Sequence, residues 1–260
     1  MEVVILPTTA ARAGLAAAAI TDLLRRKPSA VLGLATGSSP LPVYDALVDA
    51  HQAGQVSFAA ARAFTLDEYV GLPAGHPEAY RQVIDRELVG RVDFADGAVH
   101  GPNGDTDDVP AACGQYEQAI AAAGGVDLQL LGIGTDGHLA FNEPGSSLAS
   151  RTRVKTLTAQ TRQDNARFFD RVDDVPHHVI TQGLGTISEA RHLVLLASGA
   201  AKAAAVAAMV EGPVSASCPA SVLQLHPHVT VLLDPEAAGL LTLRGYYEQV
   251  WDGKPDWQGI

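Results

Sequence analysis

The sequence predicts a doubly wound α/β fold: a mostly parallel open sheet with helices on both faces. Three observations predict it. Short β-branched apolar runs alternate with longer helical patterns, which implies βαβ units joined by right-handed crossovers. Val31–Ala35 is a continuous apolar run, as expected of a strand buried on both faces. No internal repeat, linker or low-complexity stretch breaks the alternation, so the 260 residues read as one domain.

Val3–Leu6 reads as the first strand. Thr9 to Arg26 follows as a helix, with Thr8 or Thr9 as its cap and Pro28 beyond its end. After the strand Val31–Ala35 come a Gly/Ser loop and a helix over Leu41–Ala50. Ala63–Leu66 is the next strand, followed by a loop and a helix over Pro77–Leu88. Gly101–Asp108 is turn-rich and acidic, and Val109–Ala123 is helical. Leu128–Ile133, Leu193–Ala197 and Val229–Leu233 complete the strands, with a helix over Ala201–Met209 between the last two. Thr158–Pro176 is a polar, Arg-rich excursion and a candidate lid.

Composition narrows the function classes. The chain is 47% apolar and has 18 Lys plus Arg against 29 Asp plus Glu, a net charge of −11. That apolar content argues against intrinsic disorder. The acidic balance argues against nucleic acid or an anionic membrane as partner. A small anionic ligand stays compatible, because one pocket can oppose the global field. Two cysteines, Cys113 and Cys218, make no disulfide framework. The N-terminus lacks a basic n-region, and no apolar run approaches the roughly 18 residues of a membrane span. A cytoplasmic protein is expected.

In open α/β sheets ligands sit at the carboxyl ends of the strands, near a switch in strand order. After Ala35 comes Thr36-Gly37-Ser38-Ser39-Pro40. Its hydroxyls, its glycine and the following helix start suit an anion, most naturally a phosphate; the same residues also suit an ordinary helix start capped by Ser39. After Leu66 comes Asp67-Glu68-Tyr69. Partial desolvation there would raise the Asp67 pKa and make it a better base, although solvated loop carboxylates fit the sequence too. After Ile133 come Asp136, His138 and Glu143. A histidine flanked by carboxylates has a fixed orientation and suits proton shuttling. A structural Asx turn and a metal site are the other readings, but the spacing matches neither H-E-x-x-H nor a cysteine cluster. Arg167 and Lys202 are candidate phosphate partners, the latter just past a strand at a helix start, although each fits a solvated surface charge equally well.

These strings resemble a known family. Leu34–Pro40, the Asp67-Glu-Tyr-Val-Gly71 segment, His76–Tyr80, Gly134–Pro144 and Ser147–Arg153 are similar in collinear order to the glucosamine-6-phosphate deaminases. The resemblance runs from about Val31 to Leu233. It implies a Rossmann-like fold and the conversion of glucosamine 6-phosphate and water to fructose 6-phosphate and ammonia, with no cofactor and no metal.

The resemblance also assigns roles. The family's general base falls on Asp67. Its ring-opening histidine falls on His138, with Asp136 and Glu143 in support. Its phosphate site falls on Thr36, Gly37, Ser38, Ser39, Arg167 and Lys202. Tyr80 matches a tyrosine near the substrate. In those members that are hexamers activated by N-acetylglucosamine 6-phosphate, the effector residues match Ser146, Arg153, Lys155 and Thr156; other members are smaller and not activated. Galactosamine-6-phosphate deaminase and 6-phosphogluconolactonase are the rival enzymes, and a sugar-phosphate sensor domain is the rival binding module.

Overall fold

The computed structural model describes residues 1–260 except Ala74, Arg167, Phe168, Asp170 and Asp256, and only the backbone of Ala159, Gln160 and Asp164. In chain order the strands are β1 (Glu2–Ile5), β2 (Val31–Leu34), β3 (Arg62–Thr65), β4 (Asp67–Tyr69), β5 (Val99–His100), β6 (Leu128–Leu131), β7 (Arg153–Thr156), β8 (His178–Thr181), β9 (His192–Ala197) and β10 (Val229–Leu233). The helices are α1 (Thr9–Arg26), α2 (Leu41–Gln52), α3 (Tyr80–Glu87), α4 (Val109–Ala122), α5 (Ala159–Asn165), α6 (Leu184–Ser188), α7 (Ala203–Val210) and α8 (Arg244–Asp252).

Seven strands form one parallel sheet in the order β1-β10-β9-β6-β2-β3-β5. The predicted doubly wound α/β architecture is therefore present. Its central strands β2, β6, β9 and β10 are buried along their whole length, which explains their uninterrupted apolar sequences. Alternate residues feed two cores. Val31, Phe64, Leu131, Leu195 and Val231 point to one, beneath α4, α6 and α7. Leu32, Leu34, Ala63, Leu130 and Val194 point to the other, beneath α1 and α2.

The chain winds outward from β2 to β3 and β5, then returns to β6 on the other side of β2. The switch in strand order thus lies between β2 and β6. It brings the loop after Ala35 beside the loop after Ile133: a Cβ on Gly132 would lie 3.8 Å from Ser39 Oγ.

Three features depart from the sequence expectation. Asp67–Tyr69 is a strand rather than a loop; with β8 and β7 it forms a small antiparallel sheet, pairing Asp67 with Thr181. Two carboxylates carry no strand signal, and the pairing that imposes one is distant in sequence. The helix expected from Pro77 starts at Tyr80, because His76–Ala79 forms a turn. Helix α8 was not expected; Tyr247 and Trp251, one turn apart, pack it against the two cores.

Candidate functional site

The first half of the site begins where β3 becomes β4. The Thr65 carbonyl accepts hydrogen bonds from Tyr116 Oη (2.6 Å) and Gln182 Nε2 (2.9 Å), and the Leu66 carbonyl accepts from Gln182 N–H (2.8 Å). These bonds fix the backbone from which Asp67 projects. Its side chain is buried, 5% exposed. Burial, followed by the adjacent Glu68 charge, pushes the Asp67 carboxyl up to about 8.

Glu68 has a different task. It accepts the backbone N–H groups of Tyr69, Tyr80 and Arg81, each at 2.9 Å, and so caps the start of α3. Burial raises its pKa while these donors pull it down. The cap holds Tyr80 against Tyr69, with the two hydroxyls 3.2 Å apart and the rings 4.7 Å apart. Phe141 also stacks on Tyr80, with ring centroids 6.1 Å apart. The expected lid segment reaches this cluster through Asn165 Nδ2, which donates to Tyr69 Oη at 3.0 Å, and through Phe169.

The second half is the loop after β6. His138 Nδ1 lies 2.7 Å from Asp136 Oδ1 and 4.0 Å from Glu143 Oε2. The shorter contact is an ion-pair distance without hydrogen-bond alignment. Asp136 also accepts the His138 backbone N–H at 3.1 Å, an Asx turn, so the structural reading of this string and the proton-shuttle reading coexist. Burial tends to raise Asp136, but the His138 N–H and imidazole hold its carboxyl below the usual range. Glu143 moves the other way, raised by burial and by its contact with Asp136. The two carboxylates around one imidazole are thus split into a readily ionised and a more proton-retaining member. The three side chains bring nitrogen and oxygen atoms within 4.8 Å of one another, a spacing that also suits a metal ion.

Gly134 makes room for this histidine. A Cβ there would lie 2.2 Å from both Cε1 and Nδ1 of His138. Gly134→Ala is therefore expected to displace the ring and cost about 10²-fold in turnover. Steady-state kinetics, with circular dichroism as a control for folding, checks it.

At the β2 end, Gly37 has φ of +92° and open space around its missing Cβ. Helix α2 starts at Leu41 with no side-chain cap bond, so Ser39 is not the cap; Pro40 and Pro42 carry no N–H and the Val43 N–H donates to the Pro40 carbonyl at 2.9 Å, so the helix start itself offers few donors to a ligand. Tyr44 pins the preceding strand end, bonding both N–H and C=O of Ala35. Lys202 ends a 3-10 turn that follows Gly199, whose N–H is held by Asp234 Oδ2 at 2.9 Å. Burial lowers the Lys202 pKa, and the Asp136 charge opposes that shift. Arg167 lies outside the described residues.

The description of one protein family, glucosamine-6-phosphate isomerases/6-phosphogluconolactonase, fits this arrangement, and its profile matches residues 8–232. The chain belongs to this family. Among its relatives, the glucosamine-6-phosphate deaminase of Mycolicibacterium smegmatis is 68% identical over the whole of both chains. That of Streptomyces coelicolor is 62% identical, again over the whole of both. A solved structure described as a monomeric glucosamine-6-phosphate deaminase is 44% identical with a TM-score of 0.89, covering 92% of this chain and 100% of its own. The 6-phosphogluconolactonase of Trypanosoma cruzi superposes with a TM-score of 0.75 at 23% identity, covering 93% of this chain and 97% of its own, and shares the fold.

Within this family member, the residues matching the effector positions lie together only in part. Arg153 and Lys155 share one face of β7, and Thr156 is exposed on the other. Ser146 Oγ is buried without a partner. Arg153 Nη1 donates to Asn142 Oδ1 at 2.8 Å. Sequence reasoning missed Glu68 as a helix cap, and it missed Asn142 and Gln182 altogether. Asn142 sat unremarked inside the Phe-Asn-Glu-Pro string. Gln182 follows the β-branched run Val179–Thr181, a strand signal that was available.

Proposed function

We propose that the chain is a glucosamine-6-phosphate deaminase that converts glucosamine 6-phosphate and water to fructose 6-phosphate and ammonia. The observation that carries this reading is the 68% identity over the full length to a protein of that name.

The residues suit each step. Ring opening moves a proton from O1 to O5; His138 is the proposed shuttle, with Asp136 orienting it and Glu143 beside it. Asp67 then takes the C2 proton, which is acidic once C1 is a carbonyl. The substrate's C2 ammonium is the counter-charge that favours the ionised form of the buried Asp67. Return of a proton to C1 leaves an iminium at C2, and water releases ammonia. Thr36–Ser39, Lys202 and Arg167 are the proposed phosphate anchor, fixing orientation through an unreactive group. Tyr80 is the proposed wall of the sugar site, and residues 158–176 are the proposed lid.

The deciding experiment is an ammonia-release assay with glucosamine 6-phosphate, galactosamine 6-phosphate and, in parallel, hydrolysis of 6-phosphogluconolactone. Activity is expected with the first; lactone hydrolysis without ammonia release would overturn the reading. Lys202→Met is expected to raise KM about 10- to 100-fold with little change in kcat, as fits a lost charge-assisted bond to a remote phosphate. Initial rates across substrate concentration check it.

Ser146, Arg153, Lys155 and Thr156 are the proposed effector positions. A hyperbolic response unchanged by N-acetylglucosamine 6-phosphate would remove that role. The description of the 44% identical relative as monomeric supports a monomer over a hexamer. Among the described residues no helix is long and apolar enough to cross a membrane, and a cytoplasmic location is the one proposed for a sugar-phosphate enzyme of this kind.

A further inference from the structure

We propose that Asn142 is a positioning residue that locks the ring-opening loop to the strand carrying the base. Its side chain is fully buried. Nδ2 donates to the carbonyls of Leu139 (3.0 Å) and Gln182 (2.8 Å), and Oδ1 accepts from Arg153 Nη1 (2.8 Å). Its backbone N–H also donates to Leu139 at 2.9 Å. Gln182, equally buried, carries the connection onward to Thr65 and Leu66, directly before Asp67. One chain of buried hydrogen bonds therefore joins the two catalytic halves and ends at Arg153.

A second observation shows why a lock is needed. Ala140 has φ of +52°, the left-handed conformation that a residue with a Cβ adopts only under external constraint. The Leu139–Asn142 turn contains that strain, and the double grip of Asn142 on the Leu139 carbonyl closes the turn. Phe141, inside the turn, stacks on Tyr80, and Glu143, immediately after it, faces His138. Releasing the grip lets the turn relax and carries Glu143 away from the imidazole. Arg153 completes the lock, so a residue matching an effector position is tied to the buried amide.

The inference rests on the deaminase reading for its kinetic test, and a second measurement is independent of activity. Asn142→Ser, in the full chain, is expected to lower kcat about 10²-fold with KM nearly unchanged, because the phosphate anchor is untouched. By hydrogen exchange, the peptide spanning residues 134–146 should lose protection while peptides from β9 and β10 keep theirs. Arg153→Met, which leaves the buried amide in place, should show the same pattern with a smaller fall in kcat, and decides the matter if the serine variant does not fold. Unchanged kcat in both variants, or exchange accelerated throughout the molecule, would overturn the proposal. A wild-type protein that releases no ammonia would instead sink the deaminase reading, while the local exchange pattern would still test the lock.

Discussion

Replacing Asp67 by asparagine is expected to lower kcat by about 10²–10⁴-fold and to make the protein more stable at pH 8. Both effects come from one buried carboxyl. Its pKa of about 8 in the fold stands far above the 3.8 of a free aspartate. The folded protein therefore holds the proton more tightly than the unfolded chain. Below about pH 4 both states are protonated and the group's stabilising share is complete. Between there and pH 8 the unfolded chain ionises freely while the buried group resists, and stability falls by about 1.4 kcal/mol per pH unit. Asparagine does not titrate. Its advantage over wild type should thus be larger at pH 8 than at pH 5 in thermal unfolding. Equal differences at the two pH values, or full activity, would dismiss Asp67 from this role. For wild type, kcat/KM should rise on an acid limb near pH 8, reporting free enzyme. The limb of kcat should lie lower, because the bound C2 ammonium favours the carboxylate.

His138→Gln is expected to produce the second large effect, a fall of about 10²-fold with the cyclic substrate. Glutamine keeps a polar side chain between Asp136 and Glu143 but cannot carry a proton from O1 to O5. The loss should be much smaller with an open-chain analogue, which bypasses that step. Equal losses on both would assign the histidine to a later stage. The neighbouring carboxylates sharpen the expectation. Asp136 is held below the usual carboxylate range by the His138 N–H and imidazole, while burial and Asp136 raise Glu143, so the two carboxylates beside the imidazole differ in proton affinity.

The sequence disclosed some of this arrangement because the relevant signals are local. Continuous apolar runs such as Val229–Leu233 announce strands buried on two faces, and Thr8 announces the start of α1 by its own side-chain cap. Asp136 and His138 stand two residues apart in one loop, so their meeting needs no tertiary information. Glu68, Asn142 and Gln182 were illegible for the opposite reason. Glu68 caps a helix twelve residues on, and Asn142 meets Gln182 across forty. The small sheet of β4, β7 and β8 failed in the same way: each of its strands is short and polar in part, and only their pairing makes them strands. Propensity reads what a segment prefers alone, whereas these segments are shaped by partners that arrive later in the chain.

The pairing of β1 with β10 has a consequence for synthesis. Glu2 pairs with Thr230, 228 residues on, and among the described residues no other strand of the sheet borders β1. Strand β1 thus cannot be seated until β10 has been made. Until residues 229–233 emerge, Val3 and Val4 wait with their apolar faces in water. Such distant closure makes folding slow and leaves a nascent edge open to misassociation. A chain stopped before Val229 would keep the loops after β2, β3 and β6 yet lose the strand against which β1 must close.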